Sequence, residues 1–114
     1  MNPTNSTDSM NSPVLVFITT DNREEARRIA ELLVSNKKAA CVNIVADVDS
    51  LFRWKGKVES AQESLLLVKT GAALLPEIIS LVKEAHSYEV PEIIALPIVG
   101  GSEDYLQWLD AATQ

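Results

Sequence analysis

Residues 39 to 69 constrain the fold of this chain most, because they read as one β-hairpin with arms too long for a single small core. The near arm, from Ala39 to Trp54, carries Cys41, Val42, Ile44, Val45, Val48, Leu51 and Phe52. The far arm, from Val58 to Lys69, ends in the apolar block Leu65-Leu66-Leu67-Val68. Between them Lys55-Gly56 puts a glycine where a tight turn between twisted strands demands positive φ. Strands of ordinary domains run about five or six residues, so these arms reach past one core. Their outer part is half polar: Lys57, Glu59, Ala61 and Glu63 fall on one face, and Ser60, Gln62 and Ser64 on the other. With Phe52 and Trp54 near its tip, such an arm needs a partner to cover it. A second copy of the same chain is the expected one.

The elements around the hairpin follow from hydrophobic period. Val14-Leu15-Val16-Phe17-Ile18 is a continuous β-rich run, as expected of a strand covered on both faces. Asp21, with Glu24 three residues on, resembles a capping box, and Ala26, Ile29, Ala30 and Leu33 then form a helical stripe. After Thr70-Gly71 a second helix is expected from about Ala73 or Leu74, with Pro76 in its first turn and Leu75, Ile78, Ile79, Val82 and His86 on one stripe. Pro91 ends that segment, and a fourth strand covers Ile93 to Ile98, with Pro97 at its end or at a sheet edge. Ser102 caps a last helix whose expected buried stripe is Tyr105, Trp108, Leu109 and Ala112. The order β-α-β-β-α-β plus a terminal helix is the ferredoxin-like α+β pattern, with two helices on one face of a four-stranded antiparallel sheet. The other face is expected to stay open and, with the long hairpin, to drive assembly into a trimer.

At 114 residues the chain is expected to form one domain over 13–114, preceded by a disordered polar tail over 1–12. A net charge of −6, with no basic cluster beyond Lys37-Lys38, argues against nucleic acid or an anionic membrane as the main partner. No apolar run approaches the ~20 residues of a membrane helix. A single cysteine, Cys41, allows no internal disulfide, and the first twelve residues lack a basic and an apolar region, so a reducing, cytoplasmic setting is expected.

Chemistry-bearing residues are few. Cys41 lies in an apolar strand, where free cysteines are commonly packed and inert, and the alternative is a soft-metal ligand or a reactive thiol. His86 closes a helix, where it either satisfies the last carbonyls or binds a metal or ligand beside Tyr88 and Glu92. Glu59 and Glu63 are candidate hard-metal ligands or an acid/base pair, or else meet lysines such as Lys57 and Lys69. Trp54, Tyr88, Tyr105 and Trp108 read as interface and core anchors. No glycine-rich phosphate loop is present, and Arg23, Arg27 and Arg28 read as the solvated face of a helix. An enzyme is not expected.

Five segments, in order and at matching distances, carry a resemblance: Lys38-Ala39-Ala40-Cys41-Val42-Asn43; Phe52-x-Trp54-x-Gly56-Lys57-Val58-Glu59 with Glu63; Lys69-Thr70; His86-x-Tyr88-x-x-Pro91-Glu92-Ile93; and Tyr105-Leu106-x-Trp108. From about Val14 to Leu109 the chain resembles the CutA family of divalent-cation tolerance proteins. The resemblance implies a ferredoxin-like protomer, a homotrimer built through long hairpins with Phe52, Trp54 and Trp108 at the interface, and binding of copper or other divalent metals such as zinc. On that basis the metal ligands expected are Cys41, His86, Glu59 and Glu63. A further cysteine that some family members carry in the first strand is replaced here by Ile18. The alternative is a small-molecule sensor resembling the PII signalling trimers, with Lys69, His86, Tyr88, Glu92 and Trp54 lining a cleft between subunits.

Overall fold

The computed structural model describes residues 12–114. The tail expected over 1–12 lies outside them except for Ser12, whose carbonyl accepts from Ala72 N at 2.7 Å. Strand β1 spans Pro13–Thr20, helix α1 Arg23–Ser35, β2 Cys41–Trp54 and β3 Lys57–Gly71. A 3-10 turn at Ala72–Leu74 leads into α2 at Leu75–Ala85, followed by β4 at Ile93–Pro97 and α3 at Glu103–Ala112. The sheet order is β2-β3-β1-β4, and every pairing is antiparallel. This is the ferredoxin-like α+β arrangement expected from the element order.

The core forms where the periods of helix and strand meet. Val16 and Ile18 of β1 and Leu66 and Val68 of β3 point to one face of the sheet and are fully buried against Ile29 and Leu33 of α1 and Ile78 and Val82 of α2. Helix α1 starts one residue later than the Asp21–Glu24 spacing suggested. Asn22, extended at φ −150°, is the cap: its Oδ1 accepts from Glu25 N at 2.8 Å, while Glu25 Oε1 accepts from Asp21 N at 3.2 Å. The box is therefore Asn22 with Glu25, and it forms because Glu25 turns inward while Asp21 and Glu24 stay exposed. At the other end Lys37 adopts φ 59°, with Lys38 N on Leu33 O at 2.8 Å and Lys37 N on Val34 O at 3.1 Å. This is a Schellman cap with a lysine where glycine is the usual occupant.

The hairpin turns through Lys55 at φ 51° and Gly56 at φ 80°, so both central residues take positive φ, the type I′ geometry that matches strand twist. Ladder pairs run from Trp54↔Lys57 to Cys41↔Lys69 and are interrupted once, between Val45 and Val48. There Ala46 and Asp47 form a bulge, with Asp47 at φ 61°. Strand β1 pairs with β3 only from Ser64 to Gly71, so β3 from Lys57 to Glu63 and its β2 partner project from the body and stretch the molecule to 53 Å against 28 and 25 Å across.

Two expectations are corrected. The α3 stripe is not buried as a whole: Leu109 is, whereas Tyr105 and Trp108 stay 42% and 48% exposed. A ten-residue helix lying on a sheet presents one line of contact, and the two aromatic rings instead pack on each other at its flank, with centroids 5.4 Å apart. The second face of the sheet is covered only in part, and Val45, Ile94 and Leu96 stay 43%, 52% and 47% exposed on it, as expected of an open face. Helix α3 packs on β1 and β3, and its Tyr105 lies near Cys41, which alternates with the core-facing Val42. Finally, His86 does not continue the stripe of α2; it is the residue after the helix, with extended backbone at ψ 141°. Pro97 ends β4 at the sheet edge, as expected.

Candidate functional site

The end of β1, the start of α1, the base of the hairpin and the loop after α2 meet at one junction. Thr19 and Thr20 are buried there, and Thr20 Oγ1 donates to Asn22 O at 2.9 Å. Glu25, also buried, accepts from Ser87 N at 2.6 Å, Ser87 Oγ at 3.1 Å and Asp21 N. Burial pushes its carboxyl upward, but the hydrogen bonds from Ser87 and Asp21, with the His86 ring nearby, outweigh that and hold it below the ordinary carboxylate value.

The side chain of His86 is wholly enclosed. Its Nε2 lies 2.7 Å from Thr19 O, and its Nδ1 accepts from Tyr88 N at 3.0 Å. One nitrogen must donate and the other accept, so the ring has no lone pair left for a metal. Tyr88 packs its ring 4.8 Å from the imidazole and donates its hydroxyl to Glu63 Oε2 at 2.7 Å. Burial and that carboxylate raise the phenol well above its usual value. Glu63 is only 8% exposed and faces a cavity of about 260 Å3 lined also by Asp21, Arg23, Asp47 and Gln62.

Cys41 belongs to a second cluster, toward the other end of the sheet. Its Sγ is 3.9 Å from Lys69 Nζ and 4.0 Å from Asn43 Oδ1, and Lys69 Nζ also donates to Asn43 Oδ1. Tyr105 closes the group, its phenol raised by burial and by the thiol.

The expected ligand set therefore does not assemble in one protomer. Cys41 pairs with Lys69, whereas His86 contacts Thr19, which pairs with Leu65. Four residues of strand put the two about 13 Å apart along the sheet. Glu59 and Glu63 are separated by the same count, about 13 Å, and Glu59 is exposed opposite Phe52. Among the described residues neither carboxylate meets a lysine; the buried one meets Tyr88. Among the described residues no group of three or more His, Cys, Asp or Glu side chains could hold a metal ion. The residues of the other expected cleft, one between subunits, lie apart within one protomer: Lys69 sits at Cys41, Tyr88 at Glu63, Glu92 is exposed, and Trp54 lies at the hairpin tip. Phe52, Trp54 and Trp108 are all partly exposed, on surface that an interface can cover.

Sequence reading missed Glu25 and Ser87. The Asn22-x-x-Glu25 spacing was a legible signal for the first, but nothing local marks a serine 62 residues away as its donor.

Residues 14–112 match the model of the CutA1 divalent ion tolerance protein family. The chain belongs to the CutA1 family. It is 46% identical to the chloroplastic protein CutA of Arabidopsis thaliana over 89% of this chain and 56% of that protein, so it spans little more than half the length of that relative. It is 50% identical to the divalent-cation tolerance protein CutA of Thermus thermophilus, over 83% of this chain and 92% of the relative. The crystal structure of CutA1 from Oryza sativa superposes with a TM-score of 0.88 at 43% identity, covering 93% of this chain and 97% of that one. What the CutA1 relatives share with this chain is thus nearly all of its described fold, long hairpin included.

Proposed function

We propose that this CutA1-family chain works without catalysis, as a homotrimer that binds divalent metal and serves divalent-cation tolerance. The observation that carries the assembly is the projecting arm. Leu51 and Val58 are 75% and 65% exposed, Phe52 and Trp54 are 42% exposed, and among the described residues β3 from Lys57 to Glu63 has no strand on the side where β1 has ended. An unpaired edge beside an apolar surface is what a second copy covers. The family supports the tolerance role.

Metal binding in this reading is a property of the assembly. His86 is committed to structural hydrogen bonds, and Cys41 stands beside an ammonium that opposes a cation, so copper or zinc needs Lys69 to swing away and further ligands to come from a neighbouring copy. Calorimetric titration with Cu(I), Cu(II) and Zn(II), on protein whose mass is verified by light scattering, tests this. Saturable binding at a fixed number per particle, lost in Cys41→Ser and retained in His86→Gln, is the expected result. Weak binding indifferent to Cys41 would defeat the metal role. A sensor of organic anions is the poorer reading, because Asp21, Asp47 and Glu63 line the cavity at the junction and repel them.

A further inference from the structure

The cavity at the hairpin base sets three carboxylates, Asp21, Asp47 and Glu63, against one cation, Arg23. Glu63 is 8% exposed; its Oε2 accepts from Tyr88, while its Oε1 has no hydrogen-bond or ion-pair partner among the described residues. A buried carboxylate in this condition is costly unless a cation reaches it. Asp21 and Asp47 line the same cavity and add to its negative field. Arg23, the lining cation, is exposed and forms no ion pair among the described residues.

The complementary surface lies on the same chain but out of its own reach. Residues 51–58, Leu-Phe-Arg-Trp-Lys-Gly-Lys-Val, hold Arg53, Lys55 and Lys57 and none of the chain's sixteen acidic residues. This basic tip rides on an otherwise strongly acidic molecule of net charge −6. Arg53 pairs with Val58, five residues along β3 from Glu63, so an extended arm holds it about 17 Å from that carboxylate. Only another copy's tip can bring the two together.

We propose that Arg53 of a second copy enters the cavity and pairs with Glu63, so that this site is incomplete in a single chain. The inference rests on the assembly reading above and names the contact within it. A cavity of about 260 Å3 has room for one long side chain. Of the three tip cations Arg53 is the suitable one: its guanidinium forks onto a carboxylate and is less strongly hydrated than an ammonium, which makes arginine the residue of choice for interfacial ion pairs. Lys55 and Lys57 steer the tip toward Asp21 and Asp47, and Phe52 and Trp54 beside Arg53 cover the rim.

Disulfide trapping tests the contact. In a Cys41→Ser background, Arg53→Cys and Gln62→Cys are placed in one chain; both positions are exposed, so the protomer fold is kept. Within a chain they are separated by four residues of strand, about 13 Å, beyond the 4.4–6.8 Å or so between Cα atoms that a disulfide spans. Any bond is therefore between copies. On mild oxidation the double variant should lose most of its monomer band to a covalent ladder, and each single variant should keep its own. A ladder from Arg53→Cys alone would mean that tips meet tips and would overturn the inference. An assembled particle by sedimentation, with no ladder from the double variant, overturns the inference and leaves the assembly standing. A single-chain mass for the unmodified protein removes both.

Discussion

Tyr88 donates its hydroxyl to Glu63 at 2.7 Å across 25 residues of sequence, and this bond ties the loop after α2 to the base of the hairpin. Through His86 and Ser87 the same loop reaches Thr19 and Glu25, so β1, α1 and β3 share one polar fastening. Groups buried with their partners in place hold a fold in one arrangement; removing one partner leaves the other desolvated and unpaired.

Tyr88→Phe removes only the donor. Glu63 Oε2 then stays buried without the one donor its own chain supplies, and the protomer should lose about 1–3 kcal/mol. Urea unfolding of wild type and variant under matched conditions measures the difference, and equal midpoints would mean that Glu63 is solvated instead.

Glu25 gives the fold an acid limit. Its folded pKa lies below its ordinary value of 4.5, so its contribution is fully present above that value and is lost as pH falls through the folded one. Stability should therefore decline below about pH 4.5 in wild type, and Glu25→Gln should flatten that decline while lowering stability at neutral pH. A pH series of thermal melts on both proteins reads the two effects together.

Lys37 at φ 59° sits where a β-carbon is unfavourable by about 1–2 kcal/mol. Glycine relieves that strain at the cost of a more flexible unfolded chain. Lys37→Gly should accordingly stabilise the protomer by several tenths to about 1 kcal/mol, visible as a raised denaturant midpoint with unchanged slope.

Much of the fold was legible because its signals are local. Ala26, Ile29, Ala30 and Leu33 repeat at helical spacing, and all four are buried. Lys55-Gly56 marked the turn, and Pro97 marked the end of β4. The bulge at Ala46-Asp47 was not legible, since one inserted residue leaves alternation intact on either side of it. Tyr105 and Trp108 have the period of a buried stripe, yet exposure is decided by how far the sheet beneath them extends. The candidate site was harder still. His86 stood out as a candidate ligand, but whether its lone pairs are free depends on Thr19 O, 67 residues away in sequence.

Trp54→Ala separates assembly from folding. Trp54 lies at the arm's end, opposite Lys57 and 42% exposed, and so contributes little to its own protomer's core. Large aromatic side chains commonly dominate interface energetics. The variant should dissociate on dilution at concentrations where wild type stays assembled, with far-ultraviolet circular dichroism unchanged. An assembly of unaltered size and melting temperature would show that the tip is not part of the interface.

The most direct test of the account is the mass of the unmodified protein in solution, by sedimentation equilibrium over a wide concentration range. The account requires a particle of three 12.5 kDa chains that persists on dilution. A 12.5 kDa species throughout would contradict it, because the projecting arm would then remain uncovered.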